Sequence, residues 1–255
     1  MAGKLYGIGV GPGDPELLTL KAVRLIKECD VIMVPGKDYR DSVAYQIALK
    51  AVPELAQKPV KAVYMPMTRD RELLERGYQE AAETAEGFLS MEKTVGFLTL
   101  GDVSIYSTYL YIHRLVASHG YATKMISGVP SFCAAAARLN TGLAEGAEEL
   151  HVIPAAYQVE EGLSYLLKDE KQGDQSTPGT VIFMKAGKKI GLVKEKIQSA
   201  GLSAAMVERC GMEGEKVYDS VEEMNGEAGY YSLVIVRTEN RDNTAPKNIS
   251  SETEE

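Results

Sequence analysis

A regular alternation of short apolar runs with longer amphipathic ones leaves this chain few folds to choose from. It opens with "KLYGIGVGPGDPELLTLKAVRLIKECDVIMVPG", in which residues 5–9 read as a short buried strand. Leu17, Leu18, Lys21, Ala22, Leu25 and Ile26 then recur at helical spacing, with Asp14 suited to an N-cap and Pro15 to a first helical position. Further strands are expected over residues 30–36 ("DVIMVPG"), 60–67 ("VKAVYMPM") and 94–102 ("TVGFLTLGD"), and in "ATKMISGVPS". Long helices are expected over 69–91 and 106–118. Strands that alternate with helices predict an α/β fold, a mostly parallel sheet with helices on both faces.

The pattern then restarts. Residues 149–155 and 180–187 are apolar strands, 159–168 and 188–199 are helical, "KQGDQSTPG" is a loop, and "AAMVERCG" and 230–238 are the last strands. No internal sequence repeat accompanies the restart. The expected organisation is an N-terminal α/β domain over 1–126, a C-terminal α/β domain over 127–238 and a tail over 239–255. The tail holds five acidic and two basic residues and one aliphatic side chain larger than alanine, too little apolar surface to order itself.

Composition narrows the function classes. A formal net charge of −8 over 255 residues argues against nucleic acid as a partner, because phosphate binding needs a basic face. Cys29, Cys133 and Cys210 are far apart and form no CxxC pair, as expected of reduced thiols in a cytoplasmic protein. His113, His119 and His151 make no metal-ligand spacing with them, so no metal is expected. No signal-peptide core and no stretch of bilayer-spanning length is seen, so no membrane partner is expected either.

The opening glycine loop is a poor phosphate binder. Read from Gly7, the sixth position of a G-x-G-x-x-G pattern is Pro12; read from Gly9, it is Asp14. No Lys-Ser/Thr pair follows the glycines, and Asp14 at the helix start repels the anion that the helix dipole attracts. Two readings stay open: a plain strand–helix turn capped by Asp14, or a close approach of backbone to a ligand. In "LTLGDVSIYSTYLY", Gly101 and Asp102 directly follow a buried strand, where ligands gather in open α/β sheets. Asp102 can bind a cation or a ligand hydroxyl there, or Asp102 or Ser104 can cap the next helix. "SGVPSFCAAAARLN" places Ser131 at the start of an alanine-rich helix, which permits close packing or a close ligand.

Taken together, "GVGPGDPELLTLKA", "TLGDVSIYSTY", "GVPSFCAAAA" and the "FMK" at Phe183 to Lys185 resemble the tetrapyrrole methylases, the class III S-adenosylmethionine-dependent methyltransferases. Order and spacing hold from about Lys4 to Arg237. The resemblance implies two αβα domains with the cofactor in the cleft between them, S-adenosyl-L-methionine as donor with S-adenosyl-L-homocysteine as product, a tetrapyrrole substrate and a homodimer. Within the family the loops look most like those of members that methylate C-20 of precorrin-2 or cobalt-factor II in cobalamin biosynthesis. Methylases of a uroporphyrinogen-type ring or of diphthamide share the frame, and a non-catalytic S-adenosylmethionine-binding module is a further alternative.

Carried over by motif, the resemblance implies cofactor contacts from Pro12, from Gly101, Asp102 and Ile105, from Ser131 and Phe132, and from Met184. Cys210 or Gly211, and Ser232, stand where the family's last contacts arise. Val103 departs from the family, which often has proline there. On this reading Gly11, Pro12 and Gly13 form a thin wall toward the substrate. The substrate's carboxylates would need local cations, and Lys37, Arg40, Lys185, Lys188 and Lys189 follow strands; solvated surface charge is the competing reading of each. Asp14, Tyr106 and His113 are candidate bases for the proton left on the methylated carbon, against capping, packing and surface exposure respectively.

Overall fold

The computed structural model describes residues 3–66, 68, 70–155, 158–167, 179–224 and 226–238. The chain falls into two compact units: Met1–Ala135 with Arg209–Glu215, and Ala136–Glu208 with Lys216–Glu255. The segments 168–178 and 239–255, which carry the expected loop and acidic tail, lie outside the described residues apart from the loop's last glycine, Gly179, which begins a strand.

The first unit is built on a fully parallel sheet of β1 (Lys4–Gly9), β2 (Val31–Pro35), β3 (Val60–Val63), β4 (Val95–Thr99) and β5 (Ala122–Ile126), in the order β3-β2-β4-β1-β5. β4 is buried along its whole length, because parallel strands sandwiched by helices show apolar side chains on both faces. On one face Ile8, Ile32, Val34 and Leu98 pack against Ala22, Leu25 and Ile26 of α1 (Leu20–Glu28) and Ala44, Ile47 and Ala48 of α2 (Val43–Ala51). On the other, Leu5, Met33, Val95 and Phe97 meet Ala81, Ala82, Ala85 and Leu89 of α3 (Arg71–Leu89) and Tyr109, Ile112 and Val116 of α4 (Tyr109–Ser118). The alanine stripe lets α3 lie close to the sheet.

The second unit holds β6 (Glu149–Pro154), β7 (Gly179–Met184), β8 (Ser203–Glu208), β9 (Lys216–Tyr218) and β10 (Ser232–Arg237), in the order β6-β7-β10-β8-β9. Only β6 and β7 pair in parallel; β10 is antiparallel to both β7 and β8, and β9 is antiparallel to β8. The expected mostly parallel sheet therefore holds for the first unit and not for the second. The reason is that the last strand, β10, inserts between β7 and β8, which the crossover through α7 (Ile190–Ser199) leaves apart. Val159 and Leu163 of α6 (Val159–Ser164) and Ile190, Val193 and Ile197 of α7 cover one face of this sheet; Ile182, Val207, Leu233 and Ile235 are buried on the other.

Several expected boundaries shift. Asp14 caps a short 3-10 turn, Pro15–Leu17, its carboxylate accepting from the Glu16 N–H at 2.8 Å; Thr19 caps α1, its hydroxyl accepting from the Ala22 N–H at 3.1 Å. α2 was not expected at all: Ala44, Tyr45, Ile47 and Ala48 are all buried, so the helix lacks the wide polar face that signals one. α4 begins at Tyr109 rather than 106, and α7 at Ile190 after a 3-10 turn, Gly187–Lys189. β9, three residues long, is too short to leave a pattern. Among the described residues no helix is long and apolar enough to cross a membrane.

Candidate functional site

The carboxyl ends of β1, β4 and β5 converge on three glycines. A Cβ on Gly9 would sit 2.6 Å from the Gly101 carbonyl oxygen and 2.7 Å from the Gly128 nitrogen, and one on Gly128 would overlap that same oxygen. Only glycine allows three backbones to touch in this way. Gly11 and Gly101 add an antiparallel bridge, Gly101 N–H donating to the Gly11 carbonyl at 2.8 Å and Gly11 N–H to the Gly101 carbonyl at 3.3 Å. Gly101 itself is left-handed, φ 71°, and a Cβ built on it meets nothing within 4 Å.

Asp102 follows and is buried, 7% exposed. One of its oxygens accepts from the Ser104 N–H at 2.7 Å and from the Ser104 hydroxyl; the other accepts from the Gly128 N–H at 2.9 Å. The carboxylate thus ties the loop after β4 to the loop after β5. Ile105 is half-buried in the same loop. Beyond it, the Ser107 hydroxyl pairs with Thr99 at 3.0 Å and accepts from the Tyr109 N–H at 3.2 Å, which anchors the start of α4 to the end of β4.

Gly11, Pro12 and Gly13 are buried. The space that a side chain on Gly13 would need is taken by the turn at Cys210–Met212: its Cβ would overlap the Cys210 carbonyl oxygen and lie 2.7 Å from the Gly211 carbonyl carbon and from Met212 Cγ. Gly211, φ 71°, reciprocates, since its Cβ would lie 2.5 Å from the Asp14 nitrogen. The missing side chain at Gly13 therefore serves packing of one chain segment on another. Ser131 and Phe132 open α5 (Ser131–Arg138) just beyond Gly128; Ser131 is half-buried and Phe132 is 9% exposed.

In the second unit, the expected contacts Met184 and Ser232 gather at one end of the sheet. Met184 pairs with Leu233, and Ser232 with Glu208, the last residue of β8. The Ala186 N–H donates to the Ser232 carbonyl at 3.0 Å, and the Ser232 hydroxyl to the Gly229 carbonyl at 2.7 Å. Lys185 is left-handed, φ 57°, and its Nζ sits 5.7 Å from the centre of the Tyr230 ring.

The candidate bases lie on different elements. Asp14 caps its turn, and Tyr106, φ 48°, is 47% exposed. His113 is half-buried on α4, its Nδ1 3.3 Å from the hydroxyl of buried Tyr109; burial first, and then the nearby Arg114 charge, hold its pKa below the ordinary value. Among the candidate cations, Lys37 is exposed with Nζ 5.4 Å from the Tyr64 ring centre, Arg40 is exposed and 3.7 Å from Asp38, and Lys188 is exposed.

The family model described as Tetrapyrrole (Corrin/Porphyrin) Methylases matches residues 4–225. The chain belongs to the tetrapyrrole methylases. This methylase is 32% identical over 241 residues to a probable cobalt-precorrin-2 C(20)-methyltransferase of Methanocaldococcus jannaschii, covering 92% of this chain and 96% of that one. It is 29% identical over 241 residues to the cobalt-precorrin-2 C(20)-methyltransferase of Salmonella typhimurium, covering 92% and 97%. The fold matches that of a uroporphyrin-III C-methyltransferase from Thermus thermophilus complexed with S-adenosylhomocysteine, at TM-score 0.58 and 24% identity over 92% of this chain and 97% of that one.

Sequence reasoning did not single out Gly9 and Gly128, which meet in the first unit, or Glu208, whose carboxylate is buried in the second. Gly9 and Glu208 end strands and Gly128 lies two residues after one, and that position is the only signal the sequence carries. Their significance lies in contacts with residues far away along the chain, which no local pattern reports.

Proposed function

We propose that this methylase transfers a methyl group from S-adenosyl-L-methionine to C-20 of precorrin-2 or of its cobalt form, in the building of the corrin ring. The observation that carries this reading is near end-to-end similarity to relatives named for that methyl transfer, one covering 92% of this chain and 96% of its own length. The residues fit such a donor. S-adenosylmethionine is cationic and rich in hydrogen-bonding groups, and the ends of β1, β4 and β5 offer backbone polar groups with open space beside Gly101.

When bound, the donor supplies an electrophilic methyl on a sulfonium sulfur. The chain's part is to orient it. The Gly101–Asp102 loop, stiffened by the Asp102 carboxylate, presents backbone donors and acceptors at a fixed position. Ile105, Phe132 and Met184 supply apolar contact, and Ser131 and Ser232 supply hydroxyls. Pro12, Cys210 and Gly211 lie where the loop at Gly11–Gly13 and the turn at Cys210–Met212 pack on each other. Lys37, Arg40, Lys185 and Lys188 provide cations for the carboxylates of the tetrapyrrole. Holding donor and acceptor in line is worth up to about 7–11 kcal/mol of the barrier, so no activated nucleophile from the protein is needed.

Purified protein incubated with labelled donor and with precorrin-2 or its cobalt form should yield a product one methyl heavier, labelled at the meso bridge. Folded protein that methylates neither acceptor would overturn the reading; label at a pyrrole carbon would redirect it to a uroporphyrinogen-type ring. On the same reading the methylase acts as a homodimer. Exposed apolar side chains such as Leu20 (89% exposed) are surfaces that a second copy could cover, and light scattering tests this.

A further inference from the structure

We infer that Glu208 is a positioning residue for cofactor binding: its buried carboxylate holds the 228–231 turn, and through it Ser232 and Met184, in the geometry the donor requires. The inference rests on the reading above, in which Ser232 and Met184 contact the donor.

Glu208 ends β8 and is 9% exposed, an unusual place for a carboxylate. One oxygen accepts from the Gly229 N–H at 2.7 Å, a charge-assisted bond stronger than one to a neutral acceptor. The same oxygen lies 2.9 Å from where a Cβ on Gly229 would be, so the carboxylate sits directly against the bare backbone of residue 229. The Gly229 carbonyl in turn accepts from the Ser232 hydroxyl at 2.7 Å, fixing the rotamer of a side chain that is 1% exposed. The Ser232 carbonyl accepts from the Ala186 N–H at 3.0 Å, and the Met184 carbonyl accepts from the Ala155 N–H at 2.9 Å, so the end of β7 is held on both sides. On the far side of the turn, a Cβ on Gly187 would overlap the Gly229 carbonyl oxygen, so the turn is pressed against the start of the next element. The residues after Met184 and Glu208, Lys185 and Arg209, both adopt φ 57°. Two non-glycine residues held left-handed, one after each of two strands that flank β10, mark a backbone shaped for something other than its own comfort.

The chain of contacts runs from Glu208 to Gly229, to Ser232, to Ala186 and the end of β7. Removing the carboxylate frees the turn and lets Ser232 and Met184 relax, without deleting any group proposed to touch the donor. The expected signature is weaker binding with little change in the methyl-transfer step itself.

The test measures S-adenosylhomocysteine binding by calorimetry, with thermal denaturation of the same samples. Glu208→Ala should weaken binding about tenfold, the loss expected when a buried charge-assisted hydrogen bond is removed. Glu208→Gln, whose amide oxygen still accepts from Gly229, should restore most of it. Glu208→Asp, whose carboxylate is one methylene shorter and drawn back from the Gly229 N–H, should mimic Glu208→Ala. In turnover assays the effect should appear in KM for the donor and not in kcat. A folded Glu208→Ala or Glu208→Asp variant that binds S-adenosylhomocysteine as tightly as the parent overturns the inference, as does a Gln variant no better than Ala. If Glu208→Ala does not fold, the Gln and Asp variants decide the same question. Parent protein that does not bind S-adenosylhomocysteine overturns the cofactor reading itself, a result distinct from all of these.

Discussion

The Asp102 carboxylate accepts a hydrogen bond from the Gly128 backbone N–H at 2.9 Å, joining two loops that follow different strands of one sheet. Its other oxygen accepts from the Ser104 N–H at 2.7 Å and from the Ser104 hydroxyl. Both oxygens face donors, so an amide cannot replace the carboxylate without turning its NH2 toward one of them. Asp102→Asn should therefore destabilise the fold by about 1–3 kcal/mol, the cost of an unsatisfied buried N–H. Asp102→Ala should cost at least as much and should weaken S-adenosylhomocysteine binding by loosening the loop. Denaturant titration checks the first statement and calorimetry the second; an Asn variant as stable as the parent would remove the clamp.

Gly101 and Gly128 touch each other yet should fail in different ways when replaced by alanine. At Gly128 the new methyl overlaps the Gly101 carbonyl oxygen, a backbone atom that cannot move aside; about 3 kcal/mol or more of stability should be lost. At Gly101 the methyl meets nothing within 4 Å, so only the left-handed φ of 71° is penalised, about 1–2 kcal/mol. That methyl would occupy the space assigned to the donor. Gly101→Ala should stay folded and lose donor affinity, by about tenfold or more. Equal binding by this folded variant would move the donor away from Gly101.

The histidine on α4 makes a pH dependence that can be isolated. Burial and Arg114 hold the His113 pKa below its ordinary 6.5, so the folded state favours the neutral ring. A depressed pKa contributes stability above the unfolded value and loses it as pH falls through the folded value. The thermal stability of the parent should thus fall more steeply than that of His113→Gln as pH drops below about 6.5. All other titrating groups are common to both proteins and cancel in the comparison. Parallel profiles would show that His113 titrates as it does in the unfolded chain.

The cysteines differ in reactivity for a reason visible in the fold. Cys29 is fully buried under α1 and β2, and desolvation pushes its thiol up to about 12, which withholds the nucleophilic thiolate near neutral pH. Cys133 is exposed on α5. A brief pulse of N-ethylmaleimide on native protein should modify Cys133 well before Cys29, as read by peptide mass spectrometry. Prior labelling of Cys29 would indicate that the first core opens readily.

Local sequence determined a good deal here. The positions of β1, β2 and β4 were legible because central parallel strands are continuous apolar runs, and α1, α3 and α7 because their apolar positions recur at helical spacing. The motif loops at Gly101 and Ser131 could be recognised because their residue types lie side by side in the chain. What tertiary structure alone decided were the relationships between distant segments. That β10, last in the chain, is inserted between β7 and β8 and runs antiparallel to both follows from long-range pairing that strand propensity does not encode. That Gly13 makes room for the Cys210–Met212 turn, that Gly9, Gly101 and Gly128 meet, and that the Asp102 and Glu208 carboxylates are occupied by backbone donors follow from the same cause. Periodicity and turn chemistry act over a few covalently linked residues, whereas the close approach of two backbones depends on where the whole sheet carries them.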